Sequence, residues 1–404
     1  MSMVEKPFRS LYATLFSIFI LFGTSMTIIG ATLPRILSDF SWDYATAGAV
    51  IAAGAVGYFM STFAAGVFVA KFGARAVILA GLALEISGLT FFAATPSAPL
   101  NLALNLAIGI GQGFIELTVN WATLRMDKSG TGRAMNLMHG AFAAGAFAGP
   151  FAIGLLLGAD LPWAYIYRGI AVLFVFVAIT VAFLPFTALG EERKQAKIDK
   201  KVSLLGHPAY WLGFFALLLY VGVELGVSNW IAEYFVSVFG AAAATGSFMV
   251  SLFWGGLLLG RFGFPLFLKD ARQGVVLISM SILMTVSVVA LAAFSLLEAG
   301  PYVIPFAVTV SFLAGLGCSI VYPIVVTFVG GIFPGAQSEA IGFASMGGGI
   351  GAFVFPYLMA NVSGVWGLGA GFATYAFFSL AVVAACVGLV RAAAKSTKTG
   401  SAAT

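Results

Sequence analysis

The chain has 404 residues, of which 61% are hydrophobic and only 9% are charged. An ordinary soluble domain carries about 25% charged residues, so this composition excludes a soluble enzyme, a disordered chain and a nucleic-acid binder with a basic surface. The class that remains is a protein that crosses a membrane many times. The two cysteines, Cys318 and Cys386, lie in apolar runs and form no metal-binding or disulfide pattern.

Twelve predominantly apolar runs are each long enough to span a bilayer, which takes about 20 residues. They cover residues 8–33, 44–70, 73–94, 98–125, 134–159, 163–187, 207–240, 241–269, 273–297, 300–329, 335–360 and 364–391. The first run is too long for a signal peptide, so we expect it to be a retained span. A charge-rich stretch at residues 190–202 divides the runs into six plus six. We therefore predict an all-α membrane protein with bundles at residues 1–189 and 207–404, joined by a cytoplasmic linker at residues 190–206.

The basic residues predict the orientation of these spans. With the N-terminus in the cytoplasm, only Arg35 and Arg168 of the 20 basic residues fall on the far side. The cytoplasmic side then holds the linker and Lys6, Arg9, Lys71, Arg75, Arg125, Lys128, Arg133, Arg261, Lys269, Arg272, Arg391, Lys395 and Lys398. This distribution predicts that both termini are cytoplasmic and explains the net charge of +5 without a nucleic-acid partner. Short loops and the lack of a targeting segment favour a bacterial inner (plasma) membrane.

Three short segments recur at corresponding places in the two halves. The pairs are residues 66–73 with 256–263, 109–111 with 315–317, and 145–150 with 351–356. The last two pairs share one spacing along the chain. A duplicated six-span unit predicts two pseudo-symmetric bundles that face each other across a central cavity.

The loop between the second and third spans resembles the signature Gly-x-x-x-Asp-Arg-x-Gly-Arg-Lys/Arg of the major facilitator superfamily. The matching residues are Gly66, Lys71, Gly73 and Arg75. With the repeat, the resemblance covers essentially the whole chain and implies that this loop is a conformational latch. Ala70 stands where the superfamily usually has an acidic residue, so we expect Arg261 in the second half to provide the stronger latch.

Polar residues of the fourth and fifth spans form the clearest candidate site. Gln112, Glu116 and Asn120 are spaced four apart and share one helix face, as do Asn136 and His139. Burial disfavours the charged form of a carboxyl group, so we predict proton coupling at Glu116 and His139. All of these residues except His139 are predicted to bind substrate. The alternative for Glu116 is a hydrogen bond between helices.

The seventh span carries a second candidate cluster, with Glu224, Asn229 and Trp230. A carboxylate and an amide suit the hydroxyls of a polyhydroxylated ligand, and an indole suits the C–H face of a sugar. The alternative for Trp230 is an anchor at the membrane interface. Glu85 and Glu233 also lie within spans, and for each of them both a structural and a functional role are considered.

Four segments resemble, in order, the fucose–galactose–glucose:proton symporter family. They are residues 111–120, 133–142, 222–230 and 260–263. The resemblance implies that Glu116 is the proton-linked carboxylate and that Asn120, Asn136 and Glu224 face the cavity. Members of this family carry an acidic residue in the first span a few residues before a proline. Here residues 26–33, which precede Pro34, contain none.

The sequence therefore predicts a secondary active transporter, not an enzyme, that works by alternating access. We expect it to take up a sugar or a similar small polar solute with protons, as a monomer in the lipid bilayer, without cofactor or metal. An exporter of a drug or amphipathic metabolite is one alternative, based on Gly145, Gly149, Pro150 and Gly154, although this segment also suits helix packing. A uniporter is another.

Overall fold

In a computed structural model, the chain is described at residue 4 and at residues 6–127, 133–184, 186–189, 204–267, 271–297, 300, 302–333 and 336–401. These residues form twelve α-helices and no β-strand. The helices are α1 (Arg9–Phe40), α2 (Tyr44–Phe72), α3 (Ala74–Phe91), α4 (Ala98–Met126), α5 (Arg133–Gly158), α6 (Trp163–Phe183), α7 (Pro208–Phe239), α8 (Ala243–Phe267), α9 (Gln273–Phe294), α10 (Val303–Cys318), α11 (Val321–Ile332) and α12 (Gln337–Ser401). Lys128, Lys269 and residues 190–203 of the predicted linker lie outside the described residues.

The helices match the predicted spans in chain order. Within the described residues, eleven helical stretches are long and apolar enough to cross a membrane. One of them, Val303–Ile332, combines α10 and α11, and the last, Glu339–Lys395, has 57 residues. Gly367 interrupts α12 with a non-helical φ of 84° and ψ of 165°, so α12 contains two consecutive spans. The prediction of an all-α protein with twelve spans is therefore confirmed.

The chain divides into two compact units. Unit 1 comprises Met1–Ala196 and Ala242–Ser251, and unit 2 comprises Lys197–Ala241 and Leu252–Thr404. In unit 1, α4 packs against α2 and α3, α1 against α5, and α3 against α6. In unit 2, α12 packs against α7 and α9, and α10 packs against α9. The linker at residues 190–206 stays a prediction.

One repeated glycine explains how α4 and α10 pack. A Cβ atom on Gly109 of α4 would lie 1.9 Å from the carbonyl oxygen of Gly54 in α2. A Cβ atom on Gly315 of α10 would lie 1.8 Å from the carbonyl oxygen of Phe253 in α8. Only glycine allows backbones to approach this closely. Because α2 and α8 are the second helices of their halves, the sequence repeat corresponds to the same helix contact in each unit.

A second repeated glycine makes the corresponding contact for the fifth and eleventh spans. A Cβ atom on Gly145 of α5 would lie 1.9 Å from the carbonyl oxygen of Ile20 in α1. A Cβ atom on Gly351 of α12 would lie 2.0 Å from the carbonyl oxygen of Leu218 in α7. The helices α1 and α7 each begin their half of the chain, so these contacts also match the predicted pseudo-symmetry.

The α2 helix begins at an N-cap whose removal has a measurable cost. Asp43 Oδ1 accepts a hydrogen bond from the backbone N–H of Thr46 at 2.7 Å. Hydrogen bonds from the Thr46 side chain and backbone lower the pKa of the Asp43 carboxyl. We expect Asp43→Ala to destabilise the protein by about 1 kcal/mol, whereas Asp43→Asn, which keeps a capping oxygen, retains most of this stability.

Thermal unfolding of the two variants at several pH values checks this expectation. The pKa of Asp43 is lowered in the folded protein, so the charged cap stabilises above the ordinary pKa of aspartate. This stabilisation disappears as the pH falls through the lowered pKa. The melting temperatures of wild type and Asp43→Ala are therefore expected to converge at acid pH. A gap that stays constant down to acid pH contradicts the charged cap.

Candidate functional site

Glu116 lies at the contact between α2 and α4. Its side chain is half-buried, and the hydroxyl of Tyr58 in α2 donates a hydrogen bond to its Oε2 atom. Tyr58 follows Gly54 by four residues, so the close approach of α2 to Gly109 brings this hydroxyl within reach of the carboxyl group. The sequence did not single out Tyr58. The available signal was one tyrosine a helical turn beyond a glycine in an apolar span.

Gln112 contacts other helices, although it lies one turn before Glu116 on α4. Its Nε2 atom donates a hydrogen bond to Ser25 Oγ of α1 at 3.3 Å. Ser25 Oγ in turn donates to Glu85 Oε1 of α3. The predicted stripe on α4 therefore has two sets of partners, α1 and α3 at Gln112 and α2 at Glu116. In the third residue of the stripe, Asn120 Oδ1 is buried and has no hydrogen-bond partner among the described residues.

The predicted site residues of α5 lie near α1. Asn136 and His139 are both exposed, and the His139 ring packs edge-on against Phe19 of α1 with 5.9 Å between ring centroids. The α5 helix packs mainly on α1. A functional pairing of His139 with Glu116 stays a prediction.

In unit 2, Glu224 lies in a buried polar cluster formed by α7, α8 and the end of α10. Its side chain is 7% exposed, and the Arg261 guanidinium of α8 acts on it electrostatically. Arg261 Nε also donates a hydrogen bond to the carbonyl oxygen of Ser319 at 3.3 Å. The Tyr220 hydroxyl, one turn before Glu224 on α7, donates to the carbonyl oxygen of Cys318 at 2.8 Å.

A proline explains why the carbonyl group of Ser319 needs another donor. The tenth span ends its first helix at Cys318 and resumes at Val321. Pro323 has no N–H, so the carbonyl of Ser319, four residues earlier, lacks its usual helical donor. Arg261 takes the place of that donor. Discontinuous spans of this kind commonly form substrate or ion sites in transporters.

The other predicted residues of α7 differ in their access. Asn229 is half-buried, whereas Trp230 is fully buried, with 0% exposed surface. Ser228, which follows Glu224 by one helical turn, accepts a 2.7 Å hydrogen bond from Trp254 Nε1 of α8. Stacking of a ligand on Trp230 stays a prediction, and protein atoms cover this ring in the present conformation.

The predicted latch residues of the second loop have mostly local contacts. Gly73, with φ of 83°, forms the turn between α2 and α3, and Lys71 is exposed. Arg75 Nη2 donates to the carbonyl oxygen of Leu184, the residue that ends α6. A guanidinium at this position complements the negative end of the α6 dipole. Gly66 has open space on its side-chain face. A latch function for these residues and for Arg261 stays a prediction.

The geometry of the polar groups suits solute and proton binding. Among the described residues, no group of three or more His, Cys, Asp or Glu residues is placed to hold a metal ion. The two clusters instead provide carboxyl, amide and hydroxyl groups inside membrane-spanning helices, which is where transporters bind polar solutes and protons.

A family model described as Major Facilitator Superfamily matches residues 15–307. The chain belongs to the major facilitator superfamily. It is therefore an integral, multi-pass membrane transporter, and members of this superfamily carry small-molecule solutes. The superfamily is generally non-enzymatic.

Three known proteins are similar to this chain. Inner membrane transport protein YdiN of Escherichia coli (strain K12) is 24% identical over 374 residues, which cover 89% of this chain and 85% of YdiN. Bypass of stop codon protein 6 of Saccharomyces cerevisiae is 24% identical over 274 residues, which cover 60% of this chain and 54% of that protein. The chain thus spans about half the length of the yeast relative. The crystal structure of nucleoside transporter NupG superposes with a TM-score of 0.75 at 17% identity, over 96% of this chain and 99% of NupG, a likeness that shows the fold.

Proposed function

We propose that this transporter takes up a sugar or a similar small polar solute together with protons, by alternating access. Glu116 and His139 are the proposed proton-coupling residues. The proposed solute-binding residues are Gln112, Glu116, Asn120, Asn136, Glu224, Asn229 and Trp230. We place the protein in a bacterial inner membrane with both termini in the cytoplasm, and an active alkaline phosphatase fused to the C-terminus would contradict that orientation.

The hydrogen bond from Tyr58 to Glu116 carries the proposal of proton coupling. Glu116 is the only charged residue of α4 besides Arg125 at the helix end. Its one described hydrogen-bond donor is a neutral hydroxyl, and no described cation acts on it. A carboxyl group in this setting is stable when neutral and costly when charged. Because Glu116 is half-buried, part of its side chain stays exposed, and a proton can reach the carboxyl group through that part.

The choice of a polar, hydroxyl-bearing solute is supported by the composition of the clusters. Carboxyl and amide groups in both units can accept and donate hydrogen bonds to hydroxyls. NupG is described as a nucleoside transporter, and nucleosides carry a hydroxylated ribose. Nucleosides therefore belong beside hexoses in any substrate test. Two of the three glycines behind the exporter alternative lie against α1, where Cβ atoms on Gly145 and Gly149 would approach Ile20 and Thr24, so helix packing explains these two.

Uptake by proteoliposomes tests the proposed function. Purified protein is reconstituted, and labelled hexoses and nucleosides are offered with and without an inward proton gradient. We expect the gradient to drive accumulation of at least one solute above its external concentration. If the solute only equilibrates across the membrane, with or without the gradient, the protein is a uniporter. If the solute accumulates only with an outward proton gradient, the protein is an exporter. Either result contradicts the proposal, as does the absence of uptake for every solute.

A further inference from the structure

A fully buried carboxyl group outside the proposed site lies between α1, α3 and α4. Glu85 of α3 has 0% exposed surface. Its Oε1 atom accepts a hydrogen bond from Ser25 Oγ of α1, and Ser25 Oγ accepts one from Gln112 Nε2 of α4. The second carboxyl oxygen, Oε2, is also buried and has no hydrogen-bond partner among the described residues. Three helices of unit 1 therefore meet at one carboxyl group.

No cation among the described residues acts on this carboxyl group. The groups that act on Glu85 are the neutral side chains of Ser25 and Gln112. The other charged residues of α1, α2, α3, α4 and α6, apart from Glu116, all lie near helix ends. They are Arg9, Arg35, Asp39, Lys71, Arg75, Arg125 and Arg168. Ionising a buried carboxyl without a cation and with one oxygen unpaired is very costly, so the arrangement is that of a neutral, proton-bearing Glu85.

The titratable groups on the surrounding helices have other partners. The Tyr58 hydroxyl of α2 donates to Glu116 of α4. The Tyr167 hydroxyl of α6 shares a 3.2 Å hydrogen bond with Thr32 Oγ1 of α1. Neither of these hydrogen bonds leads to Glu85, so the proton on Glu85 depends mainly on burial and on the side chains of Ser25 and Gln112.

Gln112 connects Glu85 with the proposed proton site. It lies one helical turn before Glu116 on the same face of α4, where side chains four residues apart are neighbours. Its amide N–H now binds Ser25, and an ionised Glu116 would attract the same N–H group. A change of charge at Glu116 can therefore alter the hydrogen bond that Ser25 receives, and with it the environment of Glu85.

We propose that Glu85 is a second proton-binding site, in addition to Glu116. A proton from water adds to the carboxylate of Glu85 to give the neutral acid, and it returns to water when unit 1 changes conformation. A metal cation fits poorly, because among the described residues Glu85 belongs to no group of three or more His, Cys, Asp or Glu side chains that could hold one, whereas Ca²⁺ or Mg²⁺ takes about six or more oxygen ligands. The role of this proton in transport rests on the proposed function, but the site itself does not.

Infrared titration of the purified full-length protein tests the proposal without any solute. The C=O stretch of protonated carboxyl groups is followed as the pH is raised, for wild type, Glu85→Gln and Glu116→Gln. We expect Glu85→Gln to lose one titrating band and Glu116→Gln to lose another. Ser25→Ala should retain the Glu85 band at a shifted frequency, because it removes the bond to Oε1 and leaves the carboxyl group in place. This variant also keeps the test decisive should Glu85→Gln fail to fold.

Two results would overturn the proposal. If Glu85→Gln and Ser25→Ala both leave every titrating band unchanged, Glu85 does not exchange its proton. If the band assigned to Glu85 responds to sodium and not to pH, the site binds a cation. Because the titration needs no transport, failure of the uptake assay would refute the proposed function and leave this result intact.

Discussion

Replacing Glu116 with glutamine is expected to abolish proton-driven accumulation while solute exchange continues. Glutamine resembles the neutral, protonated glutamate in shape, so α2 and α4 should still pack and Tyr58 keeps an acceptor. It cannot gain or lose a proton, so the gradient can no longer do work on the solute. At one proton per solute, a gradient of one pH unit supports about tenfold accumulation, because both correspond to ~1.4 kcal/mol. In Glu116→Gln the internal concentration of solute should only equal the external one.

Counterflow and accumulation, measured on the same proteoliposomes, separate solute exchange from proton-driven accumulation. Glu233→Gln serves as the matched control, because Glu233 is also a buried glutamate within a span but accepts a hydrogen bond from Ser237 on its own helix. We expect the control to accumulate solute as the wild type does. Glu116→Gln that accumulates normally would exclude Glu116 as the proton site. Loss of counterflow as well would mean that Glu116 is needed for solute binding or for folding.

Replacing Gly109 with valine is expected to damage the fold of unit 1 severely. The Cβ atom alone would lie 1.9 Å from the carbonyl oxygen of Gly54, far inside contact distance, and this oxygen belongs to the backbone, so it cannot rotate away as a side chain could. The helices α2 and α4 must therefore separate. Overpacking of this kind costs at least about 1–3 kcal/mol. Separation would also remove the Tyr58 hydroxyl from Glu116, so any protein that folds should transport poorly.

Thermal unfolding in detergent and the yield of monodisperse protein measure this effect. Gly315→Val, at the repeated position in unit 2, should be equally damaging, because its Cβ atom would lie 1.8 Å from the carbonyl oxygen of Phe253. Gly169→Ala in α6 is the control, because outside its own stretch of helix no atom of the described residues lies within 4 Å of its Cβ position. The control should match or slightly exceed wild type, since alanine favours helix. Gly109→Val with wild-type stability would contradict the close contact of α2 and α4.

The spans and the repeat could be predicted because both depend on local composition. A bilayer requires about 20 apolar residues for each crossing, and such runs can be found in the sequence without knowing how the helices pack. The repeated glycines Gly109 and Gly315 were recognised from spacing alone, and each proved to lie at an equivalent helix contact. Details of helix continuity were less predictable. The tenth span divides at Ser319, and Gly367 breaks α12, because single backbone groups decide such interruptions.

The partners of the polar residues could not be predicted from spacing. Gln112 and Glu116 share a helix face, but their hydrogen bonds lead to different helices. Which helix covers each turn of α4 depends on packing between segments far apart in the chain. Tyr58 and Ser25 are single hydroxyl residues in apolar helices, where serine and tyrosine are common, so neither stood out. Three-dimensional packing was needed to connect them with carboxyl groups.

Solute-induced proton movement tests the central claim most directly. The solute identified by the uptake assay is added to proteoliposomes without a pre-formed gradient, and the pH of the weakly buffered medium is recorded. Our account predicts that wild type removes protons from the medium as the solute enters, and that Glu116→Gln transports solute without this change. Solute entry by wild type with no change in pH, or an equal change in Glu116→Gln, would contradict proton coupling at Glu116.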